Sequence, residues 1–132
     1  MAKAKPKLIA ALTCEQVITD KTKDMHTLVG LFSDIHAENF PAKHPHMVLF
    51  CAWGKAGASR TYRLEIKVKD PDNGNLAKVD VELKFEKGKI RTYAIFNFQN
   101  LVFKKAGQYA FEIYLDGEMI AAVPVNVGKP PN

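Results

Sequence analysis

Apolar and polar positions alternate most regularly over 62–69. Tyr62, Leu64, Ile66 and Val68 take one side there, and Arg63, Glu65, Lys67 and Lys69 the other. A period of two is that of a strand with one wet face. Val79, Val81, Leu83 and Phe85 repeat the pattern, as do Tyr109, Phe111, Ile113 and Leu115. Asp116-Gly117 then offers the two positive-φ positions of a type I′ turn, and Ala121, Val123, Val125 and Val127 return, so 107–127 is a hairpin. Pro124 has no N–H to give to a ladder. It puts the last strand at a sheet edge, or points that position away from a neighbour.

Elsewhere the pattern is denser. Leu8 to Thr19 is apolar on both faces and reads as a strand packed on both sides, ended by the charged connection Asp20 to Asp24. His26 to Ala37, with Leu28, Val29, Leu31, Phe32 and Ile35, predicts a second buried strand, in which Gly30 marks a bulge or a close backbone approach. Glu38 to His46 carries Pro41 and Pro45 and predicts an irregular crossover. Met47 to Trp53 predicts a central strand. Asp70-Pro71-Asp72-Asn73-Gly74 is a turn, and Ile90 to Gln99 a further strand. About eight strands at short, even spacing with no amphipathic helix predict an all-β, antiparallel sandwich. Its core draws on Leu64, Ile66, Val68, Val81, Leu83, Phe96, Phe98, Tyr109, Phe111, Ile113, Val125 and above all Trp53.

The length of 132 residues suits one domain over 8–128, between a basic arm at 1–7 and a tail at 129–132. The stretch Leu8 to Cys14 is too short for an export signal, and no apolar run approaches the roughly 20 residues of a membrane span. With two cysteines and no export signal, a reducing cytoplasm is expected, and no membrane partner. The formal net charge of +5 raises nucleic acid as a partner. All but Arg60, Arg63 and Arg91 of the 19 basic residues are lysine, however, and no basic and aromatic stripe appears, which argues against it.

Two resemblances follow from particular residues. Phe103 to Phe111 resembles the entry to the penultimate strand of immunoglobulin-like sandwiches, and the resemblance implies that Tyr109 ties its corner by the hydroxyl. Phe111 stands where the second core cysteine of a true immunoglobulin domain would be. The chain from Leu8 to Val127 is also similar to a small bacterial family catalogued as a domain of unknown function. The matching pieces are Cys14-Glu15, Gly30 to Ile35, Phe40-Pro41, Asp70-Pro71-Asp72 and Gly107-Gln108-Tyr109. That family brings no activity with it.

Candidate chemistry is sparse. His36, Glu38, His44 and His46 form the one metal-like constellation, with Asp34 and His26 nearby in sequence. In an extended chain His44 and His46 project to one side, but neither zinc-finger nor H-E-x-x-H spacing is present, and surface histidines explain them equally well. Cys14 and Cys51 lie in no nucleophile or redox motif and read as buried small hydrophobes. Asp70, Asp72, Asn73 and Asn75 resemble a calcium loop in composition only, because Val81 stands at its twelfth position. No phosphate loop, dinucleotide fingerprint or serine elbow occurs. The expectation is a non-enzymatic binding or scaffolding module without cofactor that takes a protein partner or a second copy through a sheet edge or end loops, with Tyr93, Tyr114 and Met119 as its surface. A metal-dependent enzyme using the His36 to His46 segment is the alternative, and a carbohydrate or small-ligand binder using Trp53 or the tyrosines is another.

Overall fold

The computed structural model describes residues 5–58 and 60–129. Nine strands form two packed sheets. Strands β1 (Lys7–Asp20), β2 (Met25–Leu31), β4 (Ala42–Gly54) and β7 (Arg91–Phe103) make a four-stranded sheet in the order β2-β1-β4-β7. Strands β3 (Asp34–His36), β5 (Tyr62–Lys69), β6 (Asn75–Leu83), β8 (Gly107–Leu115) and β9 (Glu118–Gly128) make a five-stranded sheet in the order β3-β9-β8-β5-β6. All pairings are antiparallel except β3 with β9. A short strand that leaves the first sheet to lie parallel beside the last strand gives the molecule an immunoglobulin-like order. The predicted sandwich is therefore present, with one strand more than expected.

The extra strand corrects the reading of 26–37. The segment is not one buried strand: β2 ends at Leu31, the chain crosses through Phe32-Ser33, and Ile35 is buried in β3 on the other sheet. Thr13 Oγ1 donates to the Phe32 carbonyl at 2.6 Å, and the Asn126 amide donates to the Ser33 carbonyl at 2.9 Å, so the crossing is held from both sheets. Gly30 has φ +71°, and a Cβ there would sit 3.0 Å from the Glu15 side chain. The close approach expected of this glycine is real.

The crossover also ends earlier than Pro45 implies. His44, Pro45 and His46 lie in β4, paired with β7. Proline is tolerated because the ladder is interrupted there: His44 pairs Leu101 and His46 pairs Gln99, while Asn100, opposite Pro45, takes φ +56°. Pro124 keeps the second of its two expected roles. The Asn126 amide points to the β3 side, so the proline two residues earlier faces past the end of that three-residue strand.

Between the sheets, Trp53 is the largest wholly buried side chain, with Tyr109, Phe103, Phe111 and Met47 around it in size. Every expected core residue is buried except Val81, which is 38% exposed. It lies on β6, an edge strand of the larger sheet. Phe111 meets Phe98 edge-on at 5.4 Å, filling the space a disulfide takes in a true immunoglobulin domain. Asp116 (φ +49°) and Gly117 (φ +85°) make the expected turn. Asp116 caps it by accepting from the Arg63 amide at 2.9 Å and from Arg60 at 2.7 Å, contacts that lower its pKa.

The first strand does something the alternation did not signal. β1 pairs β4 only as far as Cys14, then runs six residues further with β2. The tip of this hairpin reaches the start of β7, where Asp24 meets Lys89 at 3.2 Å, and the His26 ring lies 4.8 Å from Tyr93 and 6.0 Å from Phe50. The β1–β2 hairpin is thus folded back across the outer face of the four-stranded sheet. Val48 and Phe50 are buried beneath it.

Tyr109 Oη donates to the Lys105 carbonyl at 2.8 Å, the corner contact that the resemblance implied. Tyr109→Phe should cost about 1 kcal/mol through loss of that bond. Trp53→Ala should cost about 3–5 kcal/mol through the cavity left in the core. Urea unfolding of both variants checks the order; a larger loss in Tyr109→Phe than in Trp53→Ala would mean that the corner, not the inter-sheet packing, dominates.

Candidate functional site

A recess of about 710 Å³ opens where β1 turns away from β4. It is lined by Glu15 and Gln16 of β1, Phe32 of the crossing, Asp34, Ile35 and His36 of β3, and His44, Pro45 and His46 of β4. Three of the four residues in the metal-like constellation therefore share a groove. Glu38 is not among its lining residues, and His26 is on the folded-back hairpin.

The two histidines that share the β4 segment have separate environments. His46 donates through Nδ1 to the Glu15 carbonyl at 3.0 Å, and its Nε2 lies 3.2 Å from the Asn97 carboxamide. His44 has its ring between Phe32 and Phe103, at centroid distances of 6.2 and 6.5 Å. Its Nε2 is buried and has no hydrogen-bond partner among the described residues. Burial lowers the His44 pKa, against the raising influence of the His46 backbone and of Glu15. Among the described residues no three His, Cys, Asp or Glu side chains are gathered as a metal site. The groove offers instead a neutral imidazole among aromatic rings, with carboxylates at its rim.

The cysteines are buried and unpaired. Burial pushes the Cys51 thiol up to about 12 and raises Cys14 as well, so neither is a ready thiolate. Asp70 Oδ1 accepts from the amides of Asp72 and Gly74, both at 2.8 Å, which is turn chemistry within the segment that resembled a calcium loop. Trp53 is 0% exposed and presents no ring face to a ligand.

The expected interaction residues divide between two surfaces. Tyr114 and Met119 face each other across the β8–β9 hairpin, whereas Tyr93 stacks on Phe50 at 5.5 Å on the opposite sheet. Tyr114 is well occupied: its hydroxyl donates to Glu112 at 2.8 Å, which raises its pKa, and Lys67 Nζ sits 4.5 Å from its ring centre. Its neighbours on that face are knitted by charge. Glu65, nearly buried, takes Lys78 at 2.9 Å and Arg63 at 3.4 Å.

The surface that the sequence did not single out is the outer face of the β1–β2 hairpin. Ile18, Met25, Val29 and Leu31 lie on it or at its end and are between 39% and 60% exposed. Among the described residues β2 pairs only with β1, which leaves its other edge without a strand, and Met-His-Thr-Leu-Val-Gly-Leu contains no carboxylate, lysine or arginine. The edges of the larger sheet are guarded differently. β3 has three residues, and β6 carries Lys78, Asp80 and Glu82. The signal was present in the uncharged run of 25–31, but it read as burial.

Comparison with known proteins places the chain in a family. Residues 9–128 match the model described as "Family of unknown function (DUF6941)", and the chain belongs to that family. No curated protein matches it. Among solved structures it is similar to an immunoglobulin-like protein from Pseudomonas aeruginosa, at 13% identity and a TM-score of 0.47, over 96% of this chain and 99% of that one.

His44 generates a pH test. The unfolded chain is free to protonate this ring near the ordinary 6.5, while the fold holds it neutral to a lower pH. Its contribution to stability is full above about pH 6.5 and is lost as pH falls through the window below that value. His44→Phe should flatten the fall in urea midpoint on acidification relative to wild type. Parallel falls in both proteins would assign the acid sensitivity to other groups.

Proposed function

We propose that the chain is a non-enzymatic binding module that takes an extended, uncharged segment of a partner protein onto the free edge of β2. The observation that carries this reading is the apolar outer face of the β1–β2 hairpin beside an edge strand without charge. An unpaired edge offers a row of N–H and C=O groups, and Met25, Val29 and Leu31 offer apolar contacts at alternating positions. Burying such side chains contributes about 25 cal/mol per Å² of apolar surface removed from water. The hairpin is seated on the sheet below by His26, Phe50 and Tyr93, so the edge is held ready rather than ordered on binding.

This moves the interaction surface from Tyr114, whose hydroxyl and ring are already engaged, to the opposite sheet. A lysine on an edge strand blocks strand addition by leaving an ammonium against apolar contacts. Val29→Lys and Leu31→Lys should each weaken partner capture at least tenfold in a pull-down from the native extract washed at high salt. Tyr114→Ala should leave it intact. Loss in Tyr114→Ala with retention in Val29→Lys would transfer the site to the five-stranded sheet. Sedimentation of the pure chain shows whether the captured partner is a second copy.

A further inference from the structure

We propose that the end of the sandwich around the β6–β7 loop docks onto an anionic phospholipid surface. The topology brings five separate segments to this end: 5–7, 20–24, 55–58 with Arg60, 84–91 and 116–118. The Gly54 position of β4 pairs both Lys7 and Arg91, the Lys55 amide donates to the Ile90 carbonyl at 2.9 Å, and Lys89 meets Asp24. Lys5 with Glu118 and Arg60 with Asp116 close the same end from the β8–β9 turn. These segments hold ten basic and five acidic residues, and the remainder of the chain is balanced. An excess of +5, equal to the formal charge of the whole chain, is therefore gathered by these segments at one end.

The acids present there are largely matched, and the surplus is free. Among the described residues, Lys7, Lys55, Lys84, Lys87 and Arg91 enter no ion pair. Cations alone fit any polyanion; the isoleucines decide between them. Ile90 is 78% exposed between Lys89 and Arg91, the most exposed large apolar side chain described. Ile9, also exposed, lies beside Gly54 at the same end. Apolar side chains ringed by lysine suit the boundary between acyl chains and phosphates, where the side chains enter and the ammonium groups meet the headgroups. Nucleic acid would call for stacking rings, and the aromatics nearest this end are spent elsewhere: Trp53 and Tyr62 are buried, Phe85 is half-buried and packed against the core, and Tyr93 is stacked on Phe50. Among the described residues no helix is long and apolar enough to cross a membrane.

The test uses the full chain and sedimentation with vesicles of phosphatidylcholine alone or with added phosphatidylserine. Binding to the serine-containing vesicles only, weakening as salt rises, is expected. Each basic group removed should cost roughly fivefold, so Lys87→Glu with Arg91→Glu should abolish binding. Ile90→Ser should weaken it at unchanged charge, and Lys43→Glu with Lys104→Glu, at the opposite end, should leave it unchanged. Folding of each variant is checked by its Trp53 fluorescence. No retention on serine-containing vesicles at low salt, equal retention on phosphatidylcholine, or indifference to Ile90→Ser would each overturn the proposal. Tighter binding to an RNA or DNA oligomer than to the vesicles would assign the basic end to nucleic acid instead.

Discussion

A strand that is apolar on both faces must be covered twice, and β4 is such a strand. Met47, Leu49, Cys51 and Trp53 face the sheet interface and join the core, while Val48 and Phe50 face the other way and are buried all the same. The five-stranded sheet covers the first face. Nothing in a two-layer sandwich covers the second, so the chain folds its first hairpin back to do it. The consequences run outward from there. β1 must leave β4 after Cys14, which opens the histidine groove at the turn, and the hairpin that closes one apolar face exposes another on its far side.

Those consequences mark where the sequence was legible. Strands with one wet face announced themselves by alternation: β5, β8 and β9 and the Asp116-Gly117 turn were readable because each residue's neighbours alone decide its side. The partition of 26–37 was not readable. Leu28, Val29, Leu31, Phe32 and Ile35 look equally apolar, yet Leu31 is exposed and Ile35 is core, because the chain changes sheets between them. Composition records that a side chain is apolar, and only topology says whether anything lies above it. Pro45 misled for a related reason: its missing N–H forbids a ladder bond, but an interruption opposite Asn100 lets the strand pass through.

The candidate site was legible in membership and not in arrangement. His36, His44 and His46 do meet in one groove, as their short separation implied. What they do there is set by partners remote in sequence: Phe103 beside His44, and Asn97 and the Glu15 carbonyl about His46. An imidazole packed between two phenyl rings is held neutral by desolvation, and one engaged through both nitrogens must break those contacts to bind a metal. The tyrosine expectations diverged in the same way, since Tyr93 and Tyr114 sit on opposite sheets.

Charge completes the case for reading distribution rather than totals. A net +5 spread evenly would be a solubility device, and the alternation of lysine with acid along β5 and β6 gave that impression. Folding separates the two populations: the strand faces are balanced, and the excess collects where strands enter and leave at one end. The same hairpin links this end to the apolar edge, for its tip is pinned by Asp24 to Lys89 while β2 runs away from it. The two surfaces nonetheless obey different physics. Electrostatic attraction at the basic end decays within a Debye length, about 8 Å at physiological ionic strength. Apolar burial along β2 is indifferent to that screening. Contacts of the kinds proposed at the two surfaces should therefore be separable by salt alone, with the basic end released first and the β2 edge retained.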